Sequence, residues 1–481
     1  MTASVSRPWV AFALLSFAFF MVVLDYSIVS IALPAMQAEL HATPAVVQWV
    51  LSAYMMVFAG FLMLSGSFAD LLGRRRFFLA GIVLFGLASL AGSMARDVTT
   101  LIGMRALQGL GAAMCNPSGL AIATTLFSAG SQRNRAVGMW ATVGSAGVVA
   151  GMLVGGILVG FLGWRSVLWV NVPVCALLVA LVPSFVPKDA AQVDKPKLDV
   201  AGAALLTATL LTMTYTIVRA PVVGVTSAET ILCALVTLGL LGGFVAVERR
   251  VAQPLVPVRL FGYQDFAGGG LMALVQAAGY SGVSLYASIY WQQVARLSPL
   301  DTGLAFLPCG LLMTLVIGPA AAPLAQKIGA RALSTAGSVV MVAGMGLALW
   351  LTTWPPVWWL MLIVTLVATA GCMETFEMSM VAGLAHVDEK DEGAACGAIS
   401  TMSQIGMGLG VAVAAAFAMG KPVAAGVHDA FWSPALFSVL TLVVSITAIA
   451  GVRPHRPAKL VVRAGKISFV HKERAAEALS G

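Results

Sequence analysis

Fourteen times along this chain, about twenty residues pass with almost no charge, and the segments between those passages are short. An α-helix rises 1.5 Å per residue, so about 20 apolar residues match the ~30 Å hydrocarbon core of a bilayer. The passages fall at 9–33, 46–69, 77–95, 99–127, 136–162, 166–186, 200–220, 229–247, 265–291, 301–325, 332–352, 357–384, 394–417 and 432–452. In hydrocarbon the backbone must satisfy its own hydrogen bonds, which selects helices for segments of this length. The sequence therefore predicts an all-α polytopic membrane protein of fourteen transmembrane helices. Of its 481 residues only 10% are charged, against about 25% in soluble domains, and the short connections leave no room for a soluble domain. Arg7 ahead of an apolar run has the outline of a signal peptide. That run continues to about Leu33 with more spans directly behind it, and so reads as an uncleaved first span.

Lysine and arginine orient such a chain, because they collect on the cytoplasmic side. With a cytoplasmic N-terminus, 22 of the 28 basic residues lie inside, including Arg74 to Arg76, Arg331 and seven in the tail after Val452. Five lie outside (Arg96, Arg165, Arg219, Arg296 and Lys421), and Arg105 is left within a span. This asymmetry predicts cytoplasmic termini at both ends, in the inner (cytoplasmic) membrane. It also gives the net charge of +8 a role at the lipid surface, so no nucleic-acid partner is expected. The six cysteines lack the short spacing of metal or redox pairs. No metal, disulfide or cofactor is expected.

The chain also repeats itself. SFADLLGRRR (Ser67 to Arg76) is echoed by PLAQKIGAR (Pro323 to Arg331), aligning Gly73 with Gly329 and Arg75 with Arg331. Gly138, Gly147 and Gly151 recur as Gly397, Gly406 and Gly410, each shifted by 259. The expected organisation is a six-helix bundle over 1–187, a two-helix insertion with linkers over 188–262, a second six-helix bundle over 263–452 in parallel repeat, and a basic cytoplasmic tail over 453–481. Parallel repeats with a site between them are the architecture of alternating-access transporters.

Several motifs resemble those of the major facilitator superfamily, and in particular its fourteen-helix drug:proton antiporters of the EmrB/QacA type. They are LDYSIVSIALP (Leu24 to Pro34), GSFADLLGRRR (Gly66 to Arg76), LIGMRALQGLGAA (Leu101 to Ala113), WRSVLWVNVP (Trp164 to Pro173) and VERRVAQPLVPVRLF (Val247 to Phe261). The resemblance spans Trp9 to about Val452. It implies a cytoplasmic gate of Gly66, Asp70, Gly73, Arg74 and Arg75, in which Gly66 lets helices approach, Gly73 makes the turn and the charges latch one conformation. It also implies an antiporter motif of Gly138, Gly147, Gly151, Gly155 and Gly156, whose small residues pack helices tightly and would seal the face between the halves. Leu71 stands where the family usually has a basic residue, and Met152 where it has a proline. The latter puts the bend of the fifth span and the direction of antiport in question.

Charge inside the bilayer costs about 2.5–3.5 kcal/mol per group on insertion scales, so each instance marks function or a structural pair. Asp25 lies about 24 Å along its helix from Trp9, and Arg105 starts near the outer end of the fourth span, at similar depth. The resemblance places both helices on the central cavity, which allows either a proton-coupling pair or a structural one. Glu374 and Glu377 share a helix face on the inner half of the twelfth span. They can bind a cationic substrate, carry a second proton, or snorkel to the interface. Asn116, Gln276, Tyr280, Tyr286 and Tyr290 are cavity candidates, with interfacial anchoring as the alternative for the tyrosines. HVDEKDEG (His386 to Gly393) reads as a solvated loop.

No GxxxxGK[ST] loop is present, and no nucleophile–base arrangement favours an enzyme. The leading expectation is a monomeric, proton-driven exporter of small amphipathic compounds, cationic or neutral, whose partners are substrate, protons and the bilayer. The alternatives are a dedicated exporter of one endogenous metabolite and a transporter-like receptor that does not transport.

Overall fold

The computed structural model describes residues 8–127, 131–188, 199–224, 226–251, 258–317, 320, 324–325, 327–385, 387, 392–449, 460–463 and 466–469. The HVDEKDEG loop, apart from Val387 and the helical Glu392 and Gly393, lies outside them, as do most of the tail and the side chain of Asp70. The longer helices are α1 (Pro8–Glu39), α2 (Trp49–Leu72), α3 (Arg74–Ser93), α4 (Val98–Thr125), α5 (Ser131–Leu162), α6 (Asn171–Phe185), α7 (Val200–Val223) and α8 (Ala228–Glu248). They continue with α9 (Gln264–Ile289), α10 (Pro299–Leu312), α11 (Ala330–Leu351), α12 (Trp358–Gly383), α13 (Glu392–Ala418) and α14 (Trp432–Thr447). A short hairpin, Leu460–Arg463 with Lys466–Phe469, is the one sheet among the described residues.

Side chains set several of the helix starts. The free N–H groups of a first turn need acceptors. Asp97 accepts from Thr100 N (2.8 Å), Asp199 from Gly202 N (2.8 Å) and Ser298 from Asp301 N (3.1 Å). The Thr100 bonds hold the Asp97 carboxyl below the usual carboxylate range. Gly73 and Gly329 occupy the same turn in the two repeats, at φ 99° and 90°. A side chain is rarely tolerated at such angles, which explains why the two glycines align.

Nine helical stretches are long and apolar enough to cross a membrane among the described residues, and Trp49–Leu62, Ala146–Leu162 and Ala201–Ile217 are apolar but shorter. α4 and α9 have the length but carry glycine and polar residues. The reason lies in their surroundings, since protein rather than lipid covers much of both. Some spans also differ from expectation at their ends. The sixth is interrupted at Val170, between Ser166–Trp169 and α6. The ninth and tenth close in π-helical turns at Tyr290–Val294 and Met313–Ile317. The fourteenth is preceded by a separate helix, Val423–Ala430.

Packing repeats between the halves. α1 packs on α5, α3 on α4 and α6, and α2 on α4; likewise α9 packs on α13, α11 on α12 and α14, and α10 on α12. The glycines fix the register. A Cβ on Gly147 would meet Phe20 O at 3.0 Å, and one on Gly406 would meet Leu274 O at 2.0 Å. Gly151 abuts Leu24 O and Ser27, as Gly410 abuts Ala278 O and Ser281. Gly111 meets Gly81 O, as Gly371 meets Gly337 O. Asp25 thus corresponds to Gly279, Tyr26 to Tyr280, Arg105 to Thr365 and Glu374 to Met114.

The halves meet through α5 on α10 and α2 on α13, and α7 packs on both α2 and α13. Thr207 Oγ1 donates to Gly60 O (2.6 Å), and Thr214 lies against Gly408. α8 lies outside α7 and is mostly uncovered by protein. At the end of the molecule away from Arg74 to Arg76, one hydrophobic cluster runs through both halves, from Ile28, Val50 and Leu101 to Trp291, Phe306 and Val411. Toward the basic end the clusters separate, one in the first half and two smaller ones in the second.

Candidate functional site

Two helices of opposite direction bring Asp25 and Arg105 to the same depth, and their side chains meet. Arg105 Nη1 lies 2.5 Å from Asp25 Oδ2, with both side chains fully buried. Asn171 Nδ2 donates to Asp25 Oδ1 (2.7 Å) and Gln108 Nε2 lies 3.4 Å from the same oxygen. Arg105 Nε donates to Val50 O (3.1 Å) and Nη1 also to Gln108 Oε1 (2.9 Å), while Gln108 Nε2 donates to Ser89 Oγ (2.6 Å). The Tyr54 ring lies 4.3 Å from the guanidinium carbon. Charges this far from water persist only when paired and hydrogen-bonded. α1, α2, α3, α4 and α6 each supply a member. Arg105 Nη2 is buried without a partner among the described residues.

Asp25 and Arg105 stand out in the sequence as charges within apolar spans; Gln108, Asn171, Ser89 and Tyr54 do not. Gln108 was within reach, since a residue three after Arg105 shares its helix face. Asn171 offered only its polarity inside an apolar run. The pair does not line an open cavity as the resemblance implied. It is enclosed within the first half.

The remaining candidates scatter. Glu374 and Glu377 are half-buried on α12, Glu374 against Gly337 of α11, and neither has a hydrogen bond or ion pair among the described residues. Asn116 is half-buried near the basic side of α4. Tyr280 lines a small gap of about 10 Å³ with Met152, Phe306 and Thr369, between α5, α9, α10 and α12. Tyr286 instead borders a cavity of about 310 Å³ at the opposite end, with Gln37, Gln48, Gln293 and Lys421. Gln276 Nε2 donates to Cys372 O (2.8 Å), tying α9 to α12, and the Tyr290 hydroxyl accepts from Val357 N (3.2 Å).

The motif glycines act differently from expectation. Gly147, Gly151 and Gly155 pack α5 onto α1 of the same half; Gly156 alone faces the other half, where a Cβ would lie 2.5 Å from Pro299 O. Gly303 answers it, 2.6 Å from Met152 O. α5 continues through Met152 as one helix, so the residue that replaces proline packs the seam. The surroundings of Gly138 lie outside the described residues. A Cβ on Gly66 would meet only Pro117 Cβ, at 3.8 Å, so no close approach requires this glycine here. Arg75 donates to Val186 O (2.9 Å) and Pro183 O (2.8 Å) at the end of α6; its repeat mate Arg331 donates to Ile446 O at the end of α14. A cation at a helix C-terminus meets the negative end of the dipole. Arg74 is half-buried with a partner.

Residues 15–411 match the family profile of the Major Facilitator Superfamily. The chain belongs to that superfamily. Puromycin resistance protein pur8 of Streptomyces alboniger is 35% identical over 413 residues, 85% of this chain and 81% of the relative. Cephamycin export protein CmcT of Amycolatopsis lactamdurans is 33% identical over 465 residues, 92% and 93%. Methyl viologen resistance protein SmvA of Salmonella typhimurium is 31% identical over 412 residues, 85% and 82%. The fold is similar to that of a bacterial homologue of the human lysosomal transporter Spinster, with a TM-score of 0.67 at 14% identity, covering 93% of this chain and 98% of the other. As a Major Facilitator Superfamily member the chain is a multi-pass membrane protein that handles small molecules rather than an enzyme.

Proposed function

We propose that this chain is a proton-coupled exporter of small amphipathic compounds, cationic or neutral, working by alternating access in the inner membrane as a monomer. The observation that carries the reading is the fully buried Asp25–Arg105 pair with its amide partners. The equivalent position in the second half is Gly279, so the repeat itself does not require an acid there. A carboxylate beside a cation is held ionised, and loss of that cation's contact in low dielectric favours protonation. Movement of α4 against α1 therefore converts conformation into proton affinity.

In this reading the fourteen passages all span the bilayer and the boundaries are those given by the repeat, with α7 and α8 in the insertion. The basic end is cytoplasmic, as the distribution of arginine favours. The cluster common to both halves then closes the outer side, and the separate clusters leave the halves apart on the inner side. Glu374, Glu377, Asn116 and Tyr280 face the inner approach, and Gly73, Arg74, Arg75 and Asp70 form its gate. Export and resistance relatives named for puromycin, cephamycin and methyl viologen support the direction. The Glu374/Glu377 pair, without a hydrogen bond or ion pair among the described residues, favours a second reading, a narrower exporter of a single cationic compound.

Protein reconstituted in liposomes with an imposed pH gradient tests the coupling. Adding methyl viologen or puromycin should move protons in wild type and not in Asp25→Asn. Equal proton movement in both would end the assignment of Asp25.

A further inference from the structure

We propose that Asn171 is the residue that reads whether Asp25 carries a proton, by turning its side-chain amide. The inference rests on the reading of Asp25 as the proton carrier. As a carboxylate, Asp25 can only accept hydrogen bonds, and each neighbour turns a donor toward it: Arg105 Nη1 at Oδ2, Asn171 Nδ2 and Gln108 Nε2 at Oδ1. Protonation reverses the need at one oxygen. The new O–H is a donor and requires an acceptor within the same buried space, or it is left unsatisfied.

Arg105 has no acceptor to offer. Gln108 is committed at both ends, its Oε1 accepting from Arg105 and its Nε2 donating to Ser89. Asn171 is the exception. It is 1% exposed, its nitrogen reaches Asp25, and its carbonyl oxygen has no hydrogen bond among the described residues. A half-turn of the amide places that oxygen where the nitrogen stood. The proton then adds to Asp25 Oδ1, its O–H donates to the Asn171 carbonyl, and Asn171 Nδ2 gives up its bond to Oδ1, while the bonds from Arg105 and Gln108 stay in place. Deprotonation returns the amide.

The other titratable groups around Asp25 are Arg105 and Cys115 on α4, Tyr54 on α2, Cys175 on α6, Tyr26 on α1 and, beyond Tyr26, Tyr280 on α9. From α3 comes Ser89, and α5 presents Gly147 and Gly151. Arg105 is the one neighbour among these that is charged near neutral pH. Asn171 stands at the start of α6.

The chain contains three asparagines, Asn116, Asn134 and Asn171. The double variant Asn116→Gln/Asn134→Gln leaves Asn171 alone to carry an isotope-labelled side-chain amide. In full-length protein in liposomes, infrared titration should show the Asp25 carboxylic acid band appearing on acidification, identified by its loss in Asp25→Asn. The labelled amide band should shift with the same midpoint. Asn171→Leu removes a donor from the charged form of Asp25 and an acceptor from the protonated form; the bond to the charged form is the stronger, so the Asp25 midpoint should rise, and Asn171→Ser, which keeps a group able to donate and accept, should recover part of the change. A labelled amide that stays fixed while Asp25 titrates overturns the role of Asn171 and leaves that of Asp25 intact. An Asp25 that never titrates overturns the underlying reading instead. Should Asn171→Leu not fold, the isotope measurement stands, since it leaves residue 171 unchanged.

Discussion

At Arg105, five nitrogen-bound hydrogens serve three acceptors: Asp25, Gln108 and the carbonyl of Val50. Removing one member of a buried ion pair strands the other, at about 3–5 kcal/mol. Arg105→Ala should therefore lower thermal stability in detergent well beyond what Arg75→Ala does, since Arg75 donates at a partly exposed helix end. Equal losses in the two variants would mean that the pair is solvated. The glutamates pose the opposite case, two acids three residues apart with no hydrogen bond or ion pair among the described residues. On the proposed function, Glu374→Gln and Glu377→Gln should each weaken transport of a cationic compound about tenfold and spare a neutral one, a change of about 1.4 kcal/mol. Parallel losses for both compounds would assign the pair to proton movement. The depth match between Asp25 and Arg105 was legible because helix rise is constant. The amide ring around them was not, because which face a residue turns inward depends on packing from four other helices.

Helices here are spaced by glycine, and the spacing differs from one motif to the next. Gly410→Ala would drive a methyl to 1.9 Å from Ala278 O, a contact only backbone movement can relieve, and should cost at least 1–3 kcal/mol, roughly the toll of overpacking. Gly66→Ala meets nothing closer than 3.8 Å and should be neutral or stabilise by about 0.5–1 kcal/mol through helix propensity. Denaturation of the two variants, side by side, checks both; a stable Gly410→Ala would contradict the register of α9 on α13. The repeat of three glycines at one shift was visible in the letters alone. Which neighbour they press against was not: the same spacing serves α1 within a half or α10 across the seam, and only the direction of each helix face decides. Met152 illustrates the point: the missing proline put the bend of the fifth span in question, and α5 runs through Met152 as one helix with Met152 O against Gly303 across the seam.

Across the whole molecule, the halves share one apolar layer at the end away from Arg74 to Arg76, and their apolar clusters separate toward the basic end. Gln292 Nε2 lies 3.3 Å from Ile31 O across the halves. A disulfide between Ile31→Cys and Gln292→Cys should lock this arrangement and stop transport until a reductant is added. Transport that continues while oxidised would show that this end stays closed throughout the cycle. The character of that layer has a thermal consequence. Its described contacts between halves are apolar surfaces with a few amide-to-carbonyl bonds, Gln48 to Val411 and Gln292 to Ile31, and no ion pair. Apolar association weakens on cooling and is little affected by moderate salt. With the basic end cytoplasmic and access alternating, as proposed, the population open to the outside should accordingly grow as the temperature falls and stay constant as ionic strength rises, so that the molecule idles in a different posture in the cold.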